Sequence, residues 1–147
     1  MVGRAFPLAA VQELARFREA EAGRMVALAA ARLAEGRQKA ELLRGYRADY
    51  VRQLAGVASA GVEAGRLRDT LAFIARIDDA LEQQALEIEQ LHAHWQAMVD
   101  EWGARTRELK TYDVLETRHL DRLALGERRS EQRSTDEWAT RRRDADG

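Results

Sequence analysis

The chain has 147 residues, one proline, no cysteine, and 24 basic against 25 acidic side chains, for a formal net charge of −1. The absence of cysteine excludes disulfides and Cys-ligated metals, and the balanced charge argues against a dedicated nucleic-acid binder, which shows a basic excess. A third of the residues are charged and only 6% aromatic, too few large apolar side chains for a globule of this size but enough for the seam of a two-helix rod.

The N-terminal stretch Met1 to Pro7 has no signal-peptide core, and no apolar run is long enough to span a bilayer, so a cytosolic location without direct membrane insertion is expected. Pro7 is suited to a helix first turn. The first helix is predicted over about residues 8–55. Along it runs a heptad-spaced series, Ala15, Ala22, Ala29, Gly36, Leu43, Tyr50 and Val57, with a companion series Val26, Leu33, Ala40, Arg47 and Leu54. Small residues fill the first half of this seam, which lets a second helix approach closely.

The segment Gly56 to Gly65 holds three glycines, Gly56, Gly61 and Gly65. Glycine is unfavourable inside a helix and permissive outside it, so a loop is predicted over about 56–66. The second helix is predicted over about 67–142 and carries the strongest periodicity. Leu67, Ile74, Leu81, Ile88, Trp95, Trp102 and Leu109 fall seven apart, flanked by Thr70, Ile77, Gln84, Leu91, Met98, Arg105 and Tyr112. Such a repeat specifies a left-handed coiled coil. Folded back antiparallel, it sets Trp95 and Trp102 against the alanine-rich part of the first helix. The fold expected is all-α, a single long antiparallel two-helix coiled-coil hairpin. Counting turns, the first helix ends near the level of Leu115, so the chain from about Leu115 to Arg143 should overhang as an amphipathic helix without a partner, marginal in water.

Catalysis finds no constellation. His92 and His94 are two apart and point in different directions on a helix, and His119 has no second histidine at helical spacing. These read as surface or seam-edge histidines, so neither a metal nor a cofactor is expected. There is no phosphate-cradling glycine loop followed by Lys and Ser or Thr. Carboxylates alternate with arginine at i,i+3 and i,i+4, as on solvated helix faces. Trp95 and Trp102 lie on the seam register, which favours packing over ligand stacking. Tyr46 and Tyr50 share a helix stripe, and Phe73 sits one residue off the seam at nearly the same level. These three rings either form an exposed binding patch or cover the seam. From Glu116 to Gly147 the chain has eight basic and eight acidic residues, a protein-contacting surface rather than a phosphate tracker.

At this point the chain resembles the FliJ family of flagellar type III export proteins over nearly its whole length. The likeness is carried by Tyr46-Arg47-Ala48-Asp49-Tyr50, a glycine-containing turn, Leu71-Ala72-Phe73 with Ala80 and Gln83, then Trp95, Trp102 and Leu115-Glu116-Thr117-Arg118. The tail Glu127-Arg128-Arg129-Ser130-Glu131-Gln132, continuing to Asp136-Glu137-Trp138-Ala139, completes it. The resemblance implies a non-enzymatic coiled-coil stalk similar to the rotor stalk of F-type ATPases. It implies three partners: the hexameric export ATPase (FliI-like), whose ring form the stalk promotes, the cytoplasmic domain of the export gate (FlhA-like), and export chaperones. It also implies a place in flagellum biogenesis and motility, at the inner face of the cell membrane.

The family's gate-binding surface corresponds to Leu43, Tyr46, Tyr50, Phe73, Ile77 and Ala80. Lys39 and Gln84 differ, standing where the family pattern has Gln and His. ATPase contact would map to the hairpin termini. On the overhang the expected residues are Leu115, Arg118, Leu120, Arg122, Leu123 and Arg129, the leucines lining one stripe and the arginines flanking it. Two readings compete, the corresponding stalk of a virulence secretion system and a homodimeric structural coiled coil.

Overall fold

Alanine, leucine, arginine and glutamate dominate the chain, and these residues lose least on entering a helix. The structure, a computed structural model, describes residues 5–61 and 63–147. The N-terminal tetrapeptide considered above for a leader, and Val62 of the glycine segment, lie outside the described residues. Two helices account for nearly everything described: α1 over Ala9–Ser59 and α2 over Ala64–Asp146, with no strand among the described residues. The protein is all-α, its two long helices packed against each other.

Helix α1 starts two residues after Pro7, where the Ala9 amide donates to the Phe6 carbonyl at 3.1 Å and the Gln12 amide to the Leu8 carbonyl at 2.8 Å. The break between the helices is tighter than the glycine spacing suggests. Both Gly56 and Gly65 are helical, and Gly61 alone takes a positive φ, 68°. Only that position needs the freedom of glycine. The expected loop over 56–66 therefore shrinks, because α1 runs on to Ser59, whose hydroxyl donates to the Gly56 carbonyl at 3.0 Å, and α2 resumes at Ala64. At its far end α2 extends to Asp146, beyond the expected 142.

The chain divides into two compact units, one of Ala22–Trp102 and one of the chain up to Glu21 together with Gly103–Gly147. In the first, the helices are antiparallel and the heptad series forms the seam. Ala22, Ala29, Leu33, Ala40, Ile74 and Ile77 are buried, and Leu43, Tyr50, Leu81, Ile88, Leu91 and Trp95 half-buried. Small faces large across it. A Cβ on Gly36 would lie 2.8 Å from Leu91 Cδ1, and one on Gly23 would lie 3.3 Å from Trp102 Nε1. Here glycine serves close approach, and interdigitation of this kind supplies the dispersion contacts that hold a narrow seam. Gln84, on the same series, is buried and donates from Nε2 to the Gly36 carbonyl at 2.9 Å.

In the second unit the seam is mixed, with Ala15 buried and Leu109 and Tyr112 half-buried beside polar residues. Gln12 is 3% exposed and donates to Asp113 Oδ1 at 2.9 Å. The Phe6 and His119 rings lie 5.7 Å apart. The overhang does not begin at Leu115 as expected: Glu116, His119 and Leu123 continue the Leu109 and Tyr112 series and remain half-buried. Polar residues hold two of those places, so a search for apolar spacing stops too early. The unaccompanied part of α2 accordingly begins after Leu123. Every residue from there to Gly147 is exposed.

Candidate partner-binding surfaces

Two residues four apart on one helix and two four apart on its antiparallel neighbour meet at one level. That is how Tyr46 and Tyr50 of α1 come beside Phe73 and Ile77 of α2. Together with Leu43 they line a groove of about 300 Å³. Ile77, 6% exposed, is buried in the core at this level. The Tyr50 and Phe73 rings pack with centroids 4.5 Å apart and planes inclined by 43°, a tilted contact that favours the aromatic quadrupoles. Tyr46 stays 54% exposed. It also borders a second hollow, with Leu42, Gly45 and Asp49.

Five of the six residues expected on the gate-binding surface thus share one hollow. The sixth, Ala80, is half-buried one turn along α2 and does not line it. The choice between binding patch and seam cover divides by residue. Tyr50 and Ile77 belong to the seam, Tyr46 stands clear of it, and Phe73 leans on Tyr50 with 40% of its surface exposed. Beside the groove, Arg47 bridges to Asp78, its Nε to Oδ1 and its Nη2 to Oδ2 at 3.4 Å. The hydrogen bond first, and then the charge of Asp78, raise the Arg47 pKa above its ordinary value. Of the two positions that differ from the family pattern, Lys39 is exposed. Gln84 is spent on the Gly36 carbonyl.

The residues expected on the overhang do not form one surface. At 3.6 residues per turn, Leu115, Arg118, Arg122 and Arg129 share a stripe of α2. Leu120 and Leu123 fall on another side of the helix. Leu123 is half-buried on the seam series and Leu120 is 54% exposed. The expected single leucine stripe is therefore absent. Leu115 and Arg118 instead line a shallow, open groove of about 390 Å³ along one face of α2, with Arg107, Lys110, Thr111 and Val114. Toward the end of α2 the Arg142 guanidinium sits 4.9 Å from the centre of the Trp138 ring, a cation–π contact on an otherwise bare helix.

Of the histidines, His92 lies with its ring 5.7 Å from that of Trp95, and His94 is exposed. Among the described residues no group of three or more His, Cys, Asp or Glu is arranged to hold a metal ion, and no helix is long and apolar enough to cross a membrane. Sequence reasoning missed the Gln12–Asp113 and Gln84–Gly36 clasps. Their signal was present: a glutamine at a heptad position that apolar residues otherwise hold.

An all-α pair of long helices with heptad packing defines a coiled-coil hairpin. The family described as Flagellar FliJ protein matches residues 4–144, and the chain belongs to it. The Flagellar FliJ protein of Escherichia coli strain K12 is 23% identical over 134 residues, covering 91% of each chain. No solved structure matches. By family the protein is a component of the flagellar export apparatus.

Proposed function

We propose that the protein is a non-enzymatic stalk of the flagellar export apparatus. It grips the cytoplasmic domain of a FlhA-like export gate through the groove of Leu43, Tyr46, Tyr50, Phe73 and Ile77, with Ala80 at its margin. It engages a FliI-like ATPase hexamer through the C-terminal part of α2, where Leu115, Arg118, Arg122 and Arg129 share a stripe and Leu120 and Leu123 lie on another side of the helix. Empty export chaperones are its third class of partner. It works in the cytoplasm, peripherally held at the inner face of the membrane at the flagellar base.

The observation that carries this reading is the convergence of two tyrosines and a phenylalanine, from both helices, on one open groove. Partly exposed aromatic side chains around a buried apolar floor are the usual composition of a binding hot spot. Replacing Tyr46, Tyr50 and Phe73 together by Ala should abolish capture of the gate's cytoplasmic domain and swimming motility, with the helical circular-dichroism signal retained. A triple variant that binds the gate like the parent chain would refute the assignment. One that loses its helical signal would make the rings structural.

A further inference from the structure

Between Arg105 and Arg118 the charges of α2 are sorted by side. The carboxylates are engaged or turned toward the seam. Glu108 accepts from Arg105 at 3.2 Å, and Asp113 accepts from Gln12 at 2.9 Å and faces Arg16 at 3.9 Å. Glu116 is half-buried on the seam series. The cations Arg107, Lys110 and Arg118 stand on the opposite side of the helix, exposed and without an ion-pair partner among the described residues. They rim the groove whose apolar part is Val114 and Leu115. Position 114 is 44% exposed. Three cations left bare around an apolar strip leave both a charge and an area uncompensated.

We propose that this groove is a docking site for an acidic amphipathic helix of a partner protein. Positions 107, 111, 114 and 118 follow one another at helical spacing, so the groove runs along α2 for roughly 16 Å, about three turns. A helix laid on it would set apolar side chains on Val114 and Leu115 and carboxylates against the guanidinium and ammonium groups. Arginine suits bidentate carboxylate pairing. A phosphate polymer or an anionic membrane fits less well, because Asp121 interrupts the stripe between Arg118 and Arg122. The inference rests on the stalk reading in one respect: Leu115 and Arg118 also belong to the ATPase-facing stripe, which would make the acidic helix a feature of the ATPase.

The test uses the full chain and a fluorescent synthetic helix of about 18 residues, with glutamates flanking a leucine stripe, followed by anisotropy and by amide chemical shifts. Binding should weaken as salt rises, shift amides around residues 107–118, and fall about tenfold or more in a chain carrying Arg107→Glu, Lys110→Glu and Arg118→Glu. Val114→Ser alone should weaken it with an unchanged thermal melt, which separates docking from folding. Equal binding of a scrambled peptide of the same composition would overturn the proposal. So would unchanged affinity of the charge-reversed chain, or preference for single-stranded RNA or phosphatidylglycerol vesicles over the peptide. Peptide binding at the groove together with intact ATPase binding by the charge-reversed chain would leave this site standing and remove the ATPase as its partner.

Discussion

Between Ala22 and Trp102 the surface where α1 meets α2 is built mainly from alanine, glycine, leucine and isoleucine, with Gln84 its one buried polar side chain among the described residues, and it is closed so tightly that a methyl group on Gly36 would displace the end of Leu91. In the unit formed by the chain up to Glu21 and Gly103–Gly147, Ala15 is buried and Leu109, Tyr112 and Leu123 half-buried, but Gln12, Glu116 and His119 take three of the corresponding places. The same heptad geometry therefore produces two kinds of interface. Apolar seams gain most from area removed from water, whereas a buried hydrogen bond contributes only a modest net amount. The first unit should hold the hairpin together. The second should be held loosely enough to reorganise around a partner.

The largest effects are accordingly expected in the apolar seam. Ile74→Ala and Leu33→Ala each remove a buried aliphatic side chain and should lower stability by about 2–4 kcal/mol, read as a drop in the thermal midpoint by circular dichroism. Half-buried Leu81 and Ile88 should lose less on truncation, about 1–2 kcal/mol. If Gln12→Ala were as damaging as Ile74→Ala, the two units would not differ in the way described.

Next in size comes Gly36. A valine there meets Leu91 and crowds Gln84, and overpacking of this kind costs about 1–3 kcal/mol. Gly36→Ala should fall close to the parent chain. Its extra methyl group displaces only the far end of the Leu91 side chain and meets Gln84 Nε2 and Ile88 Cγ1 at ordinary contact distances of 3.5 and 3.6 Å, and alanine gains about 1 kcal/mol of helix propensity over glycine. A large loss in Gly36→Ala would mean that Leu91 has nowhere to move.

Smaller again is the polar clasp of the second unit. Gln12→Ala removes one part-buried hydrogen bond to Asp113 and should cost about 1 kcal/mol. Asp113→Asn, which keeps an acceptor oxygen, should cost less. Chemical denaturation of both variants gives the comparison. Equal losses would assign the stabilisation to the charge shared with Arg16.

What the sequence revealed and what it concealed follow from the same chemistry. The seven-residue series from Leu67 to Leu109 and from Ala15 to Val57 was legible because apolar and small residues hold nearly every place in it. The groove of Tyr46, Tyr50, Phe73 and Ile77 was legible because i,i+4 pairs on antiparallel helices meet when the turn lies midway. Three things were not legible. Glycine clustering exaggerated the turn, since helix ends tolerate exposed Gly56 and Gly65. The seam beyond Leu109 passed to polar residues and looked like its end. The leucines near residue 120 suggested a stripe that the helical period does not support.

The smallest expected effect concerns the last stretch of α2. From Ala124 to Gly147 every side chain is exposed, yet the helix continues to Asp146. A helix of that length with no packed face relies on local pairs such as Gln132 with Asp136, at 3.1 Å, and Arg142 over Trp138. Pairs of this kind contribute only a few tenths of a kcal/mol each, and isolated helices are marginal in water. Opening there should cost far less than global unfolding. A chain ending at Leu123 should therefore melt within about 1–2 °C of the full chain, because the deletion removes no buried contact. Amides beyond residue 124 should exchange fast in the free protein and become protected when an export ATPase is added. The truncated chain should lose most of its stimulation of ATPase ring assembly. Full stimulation by the truncated chain would move the contact upstream, to the stripe of Leu115 and Arg118. A marked fall in melting temperature would show that the bare helix stabilises the hairpin, and the division between a tight unit and a loose one would have to be redrawn.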